Sequence, residues 1–206
     1  MLTSKQPMIA LTFDDGPIEN KSYGYEVLNI LKQYGLNATF FYCGSQINDE
    51  TAKEIAYSYA LGNEIGNHTT HHLALTDLSD VTLKSEIETT AKLLHKITDL
   101  TQFLVRPPYL ACDERVFKLI DAPLIGASVD SKDWSGIEPE LIVKNVLTHV
   151  TDGSIILMHE NQVHTVTALK TLIPKLLELG FTITTVSKLM QAKGIPLTNN
   201  RLYEHA

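Results

Sequence analysis

The 206-residue sequence has only two cysteines, Cys43 and Cys112. Neither stands in a C-x-x-C pair, which excludes a thiol metal site and a dithiol redox motif. Both read as free thiols, Cys43 as a small core residue closing an apolar run; a bridge between them stays open, because spacing alone does not fix disulfide geometry. Long hydrophobic runs are also missing. Stretches such as 154–158 and 172–179 fall far short of the roughly 20 residues that cross a bilayer, so no membrane span is expected. Basic stripes are absent too. Lys and Arg number 17 against 24 Asp and Glu, a net charge of −7, which argues against nucleic acid as a partner and leaves a neutral or cationic one. Residues 1–7 carry no apolar h-region, so they do not read as a signal peptide. No linker, repeat or low-complexity stretch interrupts the chain. With 44% hydrophobic and 20% charged residues, a single globular domain over 1–206 is expected.

What is there is an alternation of short β-rich apolar runs with longer helix-period segments, the pattern of repeated βα units on a parallel sheet. Seven strands are predicted, at 8–13, 38–43, 64–67, 103–105, 124–129, 154–159 and 182–186. Helices are predicted at 23–34, 50–61, 81–96, 113–120, 139–150 and 165–179, with a short last one at 187–192. Gly35, Gly62, Gly180 and Gly194 follow four of these helices as left-handed stops. Pro139 suits a first helical turn, whereas Pro174 requires a kink or a later start in the sixth helix. Periodicity leaves both an open doubly wound sheet and a closed barrel, and either one binds ligands beyond the C-terminal ends of its strands.

Chemistry collects at those ends: Asp14 and Asp15, His68 with His72, Arg106, Asp130 and Asp133, and His159. Any one of these has a bland reading as a turn former, cap or isolated histidine; their coincidence after five of seven strands does not. His68 and His72, four apart in HTTHH, would share one face of a helical turn and one cation. A catalytic zinc-type site then needs a third ligand, a carboxylate. His71 reads as exposed or as a support behind the ligands. Adjacent residues leaving a strand diverge, so of Asp14 and Asp15 one can bind a cation while the other faces water. Leu157 and Leu189 read as core.

TFDDGP, HTTHH, RPPY, DSKDW and ILMH, in this order, resemble the five signature motifs of the polysaccharide deacetylase family, the NodB-homology domain or carbohydrate esterase family four, across residues 9–189. The resemblance implies a distorted (β/α) barrel of about seven parallel strands. It also implies a metal-dependent hydrolase that removes acetyl groups from a polysaccharide outside the cytoplasm, in the extracellular space or cell envelope. The implied cofactor is one divalent ion, zinc by preference, with cobalt, nickel or manganese as alternatives. Position by position, the resemblance makes Asp15, His68 and His72 the metal ligands, Asp14 the base and His159 the acid. It implies that Arg106 holds Asp14, in a contact that can be bidentate, that Asp133 pairs with His159, and that the main-chain N–H of Tyr109 stabilises the oxyanion.

Two departures bear on substrate. Ala127 and Ser128 stand where relatives often carry an aromatic residue, which would open one wall of the acetyl pocket. RPPYLACDERVF lacks the usual glycine after tyrosine and leans toward xylan esterases over chitin or peptidoglycan N-deacetylases. Trp134, the only tryptophan, either lines the sugar site or packs beneath it. An aspartate-nucleophile phosphatase is disfavoured because its two aspartates stand one residue apart, whereas Asp14 and Asp15 are neighbours. A catalytically dead carbohydrate-binding relative is disfavoured because base and acid are both present, and no G-x-S-x-G elbow supports a covalent route.

Overall fold

The computed structural model describes residues 6–206; for residues 1–5, the reading of the N-terminal segment lies outside the described residues. The strands are β1 (Met8–Gly16), β2 (Thr39–Tyr42), β3 (Glu64–Asn67), β4 (Leu124–Ile125), β5 (Val129–Asp130), β6 (Ile155–His159), β7 (Thr182–Thr184) and β8 (Leu202–Tyr203). The helices are α1 (Tyr23–Gln33), α2 (Thr51–Ala60), α3 (Asp80–Thr98), α4 (Glu114–Leu119), α5 (Pro139–His149), α6 (Val163–Glu178) and α7 (Val186–Lys193). All pairs between these strands are parallel.

β1 is apolar on both faces, as a strand buried on both sides should be. Ile9, Leu11 and Phe13 pack outward into a large layer with Val27, Ile55 and Leu169 of the surrounding helices. Ala10 points the other way, into an inner cluster with Phe41, Ile125, Ile155 and Leu189. The same alternation carries Thr12 and Asp14 to the inner side. β2 and β7 share one edge of β1 and β6 takes the other, in register that sets Asp14 beside His159.

The sheet runs β3-β2-β1-β6-β5, and isolated bridges carry it further. Asn67 pairs with Val105, Val105 with Leu124, β4 with β8, and Ser154 with His205 at the start of β6. The ring closes, which resolves the open alternative in favour of a distorted barrel. Three differences from the sequence reading explain the distortion. The strand expected at 103–105 contracts to the single bridged residue Val105. The strand expected at 124–129 breaks after Ile125, because the carbonyls of Ile125 and Gly126 accept from the Arg106 guanidinium at 3.2 and 2.8 Å. β8 was not anticipated, since two residues carry no periodicity.

The helix stops hold: Gly35, Gly62, Gly180 and Gly194 all lie at positive φ. α6 starts at Val163, earlier than expected, and carries Pro174 in its interior. Leu157 and Leu189 are buried. Both cysteines are free, Cys43 buried, and burial pushes its thiol far above the ordinary range. No described helix is long and apolar enough to cross a membrane.

Candidate metal centre with a flanking acid and base

Asp15, His68 and His72 present one ligand atom each within 4.8 Å of one another. Asp15 Oδ1 lies 3.4 Å from His68 Nε2 and 3.3 Å from His72 Nε2. The two imidazoles meet edge to face with centroids 4.9 Å apart. The helical turn expected for HTTHH does not form. His68 to His72 is a loop after β3, and Thr69 and His72 at φ 69° and 56° bring both rings to one side. Asp15 is left-handed as well, at φ 69°, so both ends of the ligand set sit in backbone conformations that L-residues rarely adopt and that cluster at functional sites.

The donor set fits a divalent cation. Asp15 Oδ1 is buried without a hydrogen-bond partner. His68 Nδ1 lies 2.7 Å from the Arg106 carbonyl, which fixes the tautomer and leaves Nε2 as a lone-pair donor. Burial, reinforced by the neighbouring His68, lowers the His72 pKa and favours the neutral imidazole a metal needs. Burial alone would raise the Asp15 carboxyl, but the adjacent imidazoles, His68 foremost and then His159 and His72, hold it below its ordinary value.

The loop is set by residues the sequence reading missed. Glu86, 4% exposed, accepts the Thr70 and His71 main-chain N–H groups at 3.0 and 2.7 Å and sits 2.7 Å from His71 Nδ1. Burial opposes its ionisation, yet the hydrogen bonds from His71 and Thr70 outweigh that and lower its pKa. His71 thus turns away from the ligands, as a support at the surface. Asn67 braces the same loop, accepting from Thr69 N and donating to the Ile87 carbonyl. The available signal was a glutamate at a core-facing position of α3, in the run Leu83, Glu86, Thr90, Leu94.

Asp14 stands beside the ligands, 3% exposed, with Oδ2 3.6 Å from His68 Nε2. Arg106 is fully buried and stacks over Phe41 at 4.3 Å. The bidentate possibility is not realised: Arg106 Nη1 alone reaches Asp14 Oδ1, at 2.8 Å, and shares itself with the Thr12 hydroxyl at 2.6 Å. Its other donors take the carbonyls of the broken strand. Arg106 therefore fixes Asp14 and the β4–β5 break together.

His159 closes the opposite side. Its Nδ1 lies 2.7 Å from Asp133 Oδ1, its main-chain N–H donates to Asp133 Oδ2 at 2.7 Å, and the buried Thr165 hydroxyl donates to that same oxygen. Burial pulls the His159 pKa down, but the Asp133 hydrogen bond and the charges of Asp133, Asp14 and Asp15 more than offset it, to about 9. Tyr109, at φ 58° and 71% exposed, sets its ring edge-on to His72 at 4.7 Å. The turn's main-chain bonds run from Leu110 and Ala111, which leaves the Tyr109 N–H without an acceptor among the described residues. Trp134 is 57% exposed, so it does not pack beneath the site. Asp130 is an exposed turn former, accepting from Lys132 N and Trp134 Nε1. Ser128 accepts from Ile155 N, at the opposite end of β6 from His159.

Three candidate ligands, with a clamped carboxylate on one flank and an Asp133-paired imidazole on the other, gather at the strand ends of the β/α barrel, an arrangement compatible with metal-assisted hydrolysis. The polysaccharide deacetylase family model matches residues 2–122, and the chain belongs to that family. A bifunctional xylanase/deacetylase of Pseudobutyrivibrio xylanivorans is 35% identical over 94% of this chain and 32% of its own length. A peptidoglycan-N-acetylglucosamine deacetylase of Bacillus cereus is 34% identical over 92% of this chain and 91% of its own. A family 4 acetyl xylan esterase from Clostridium thermocellum, solved with a cobalt ion, superposes with a TM-score of 0.91 at 33% identity over 97% and 98% of the two chains. The chain spans about a third to two fifths of the first curated relatives it matches.

Proposed function

We propose that this chain is a metal-dependent esterase that hydrolyses acetyl groups from a polysaccharide outside the cytoplasm, with O-acetylated xylan as the preferred substrate. The observation that carries the reading is the convergence of Asp15, His68 and His72 between the Arg106-held Asp14 and the Asp133-held His159. The lean to xylan rests on the lack of glycine after Tyr109 and on the similarity to the xylanase/deacetylase and the acetyl xylan esterase. N-deacetylation of peptidoglycan or chitooligosaccharides is the second reading, favoured by the end-to-end match to the Bacillus cereus enzyme.

A divalent cation held by Asp15, His68 and His72 supplies Lewis-acid polarisation of the acetyl carbonyl and eases ionisation of water. Asp14 takes the proton as water adds to the acetyl carbon; with Oδ1 committed to Arg106, Oδ2 is its free basic atom. The Tyr109 N–H donates to the oxygen on which negative charge develops. His159 then delivers the proton on Nε2 to the departing sugar oxygen or nitrogen as its bond to the acetyl carbon breaks, leaving acetate and a free hydroxyl or amine. Trp134, exposed beside Asp133, offers an apolar face for a sugar ring. Acetate release from acetylated xylan, peptidoglycan and chitooligosaccharide, with metal-loaded protein, tests the reading. The fastest turnover is expected on xylan, and a preference of more than about tenfold for an N-acetylated substrate would replace xylan by the second reading.

A further inference from the structure

A second concentration of polar atoms lies on the outer side of the strands that carry the active centre. Glu160 follows His159, and its carboxylate presses against β1 so closely that a Cβ on Gly16 would fall 1.2 Å from Oε1. Tyr42, in register with Gly16, belongs to the outer layer. Glu54 and Ser58, one turn apart on α2, face inward, and Glu54 Oε1 would meet a Cβ on Gly24 of α1 at 2.2 Å. All four residues are at most 4% exposed. Yet Glu160 Oε1 and Oε2, Glu54 Oε1 and the hydroxyls of Tyr42 and Ser58 have no hydrogen-bond partner.

These groups influence one another strongly. Burial, then the charge of Glu160, pushes the Tyr42 phenol up, and Ser58 is close enough to moderate it without completing a hydrogen bond. No basic side chain offsets either glutamate. Uncompensated, burial raises Glu54 to about 7, and burial with the Glu54 charge raises Glu160 well above the carboxylate range. Two buried carboxylates and two buried hydroxyls without hydrogen-bond partners leave five oxygen atoms whose lost hydration a bound cation would replace. Every unpartnered atom is oxygen, the choice of hard cations. An open cleft of about 580 Å³ reaches Glu54 from the surface, lined also by Glu19, Asn20, Glu50 and Thr51.

We propose that Glu54 and Glu160, with the hydroxyls of Tyr42 and Ser58, form a second, buried cation site that takes a hard divalent ion, calcium foremost, separately from the site of Asp15, His68 and His72. Glu160 joins the strand end bearing His159 to the one bearing Asp15 and Gly16, so the ion ties the two halves of the active centre together from behind. The inference does not depend on the substrate or the reaction.

Zinc-loaded protein titrated with calcium chloride, followed by calorimetry and thermal unfolding, tests it. The parent should bind one calcium with a saturable rise in Tm, and Asp15→Asn should bind it equally well. Glu54→Gln and Glu160→Gln should each weaken binding by about tenfold or more, and Ser58→Ala, which keeps both charges should a glutamate variant fail to fold, by a smaller factor. Absence of saturable calcium binding by the parent would overturn the proposal, as would undiminished affinity in the glutamate variants. Variants of raised Tm that respond to calcium no differently from an unresponsive parent would show a carboxyl pair sharing a proton instead.

Discussion

Replacing Asp133 by asparagine keeps the side chain's shape and removes the charge that holds His159 protonated. Asp133 is fully buried, and its carboxylate takes both the ring Nδ1–H and the main-chain N–H of His159 at 2.7 Å. Burial acts on His159 in the opposite direction, and the pair's hydrogen bond and charge, with the charges of Asp14 and Asp15, carry the imidazole from 6.5 to about 9. Without the hydrogen bond and charge of Asp133, burial is opposed only by the charges of Asp14 and Asp15, and the acid's pKa falls back toward its ordinary value, by up to roughly 2.5 pH units. Because the acid form exists below the pKa, the alkaline limb of kcat/KM should move by that amount toward acid, with the acidic limb in place. With the full fall the protonated fraction at pH 8 drops from about nine tenths to about one thirtieth, so kcat/KM should fall by up to roughly 30-fold there and hardly at all near pH 5.5. Acetate release across pH 5–10 measures this. An alkaline limb unmoved in Asp133→Asn would refute the assignment of His159 as an acid tuned by Asp133.

Asp14→Asn should retain the metal and lose activity by on the order of 10²–10⁴-fold, whereas Asp15→Asn should lose both; equal metal loss in the two, by elemental analysis, would mean that the pair ligates jointly. His72→Ala should release the metal while His71→Ala keeps it, with at most about a 10–100-fold weakening, since His71 acts only through Glu86 and the loop; the reverse order would overturn the ligand choice. Arg106→Met should destabilise the fold by about 3–5 kcal/mol in urea unfolding, because it strands the buried Asp14 carboxylate; a loss below about 1 kcal/mol would show that Asp14 does not need its partner.

The sequence disclosed most where several residues obey one period. β1 and β6 were legible because both faces are apolar, and their register alone puts Asp14 beside His159. It disclosed least where a long-range contact overrides the local pattern. The split between β4 and β5 follows from a guanidinium that arrives from residue 106 and takes two carbonyls, and nothing within 124–129 announces that. The rings of His68 and His72 converge by a route that HTTHH does not suggest: the spacing suits a helical turn, yet a loop with two left-handed residues, anchored by Glu86, brings the rings together. Thr165 was equally hidden, since a threonine inside an apolar helix face looks like filler until Asp133 is seen to accept from it.

The most direct test of the account is acetate release from acetylated xylan by protein stripped with a chelator and then restored. The account predicts no turnover in the stripped protein, recovery with one equivalent of zinc per chain, and neither metal uptake nor recovery in Asp15→Asn. Undiminished release by stripped protein, or full recovery of the Asp15→Asn variant, would contradict it.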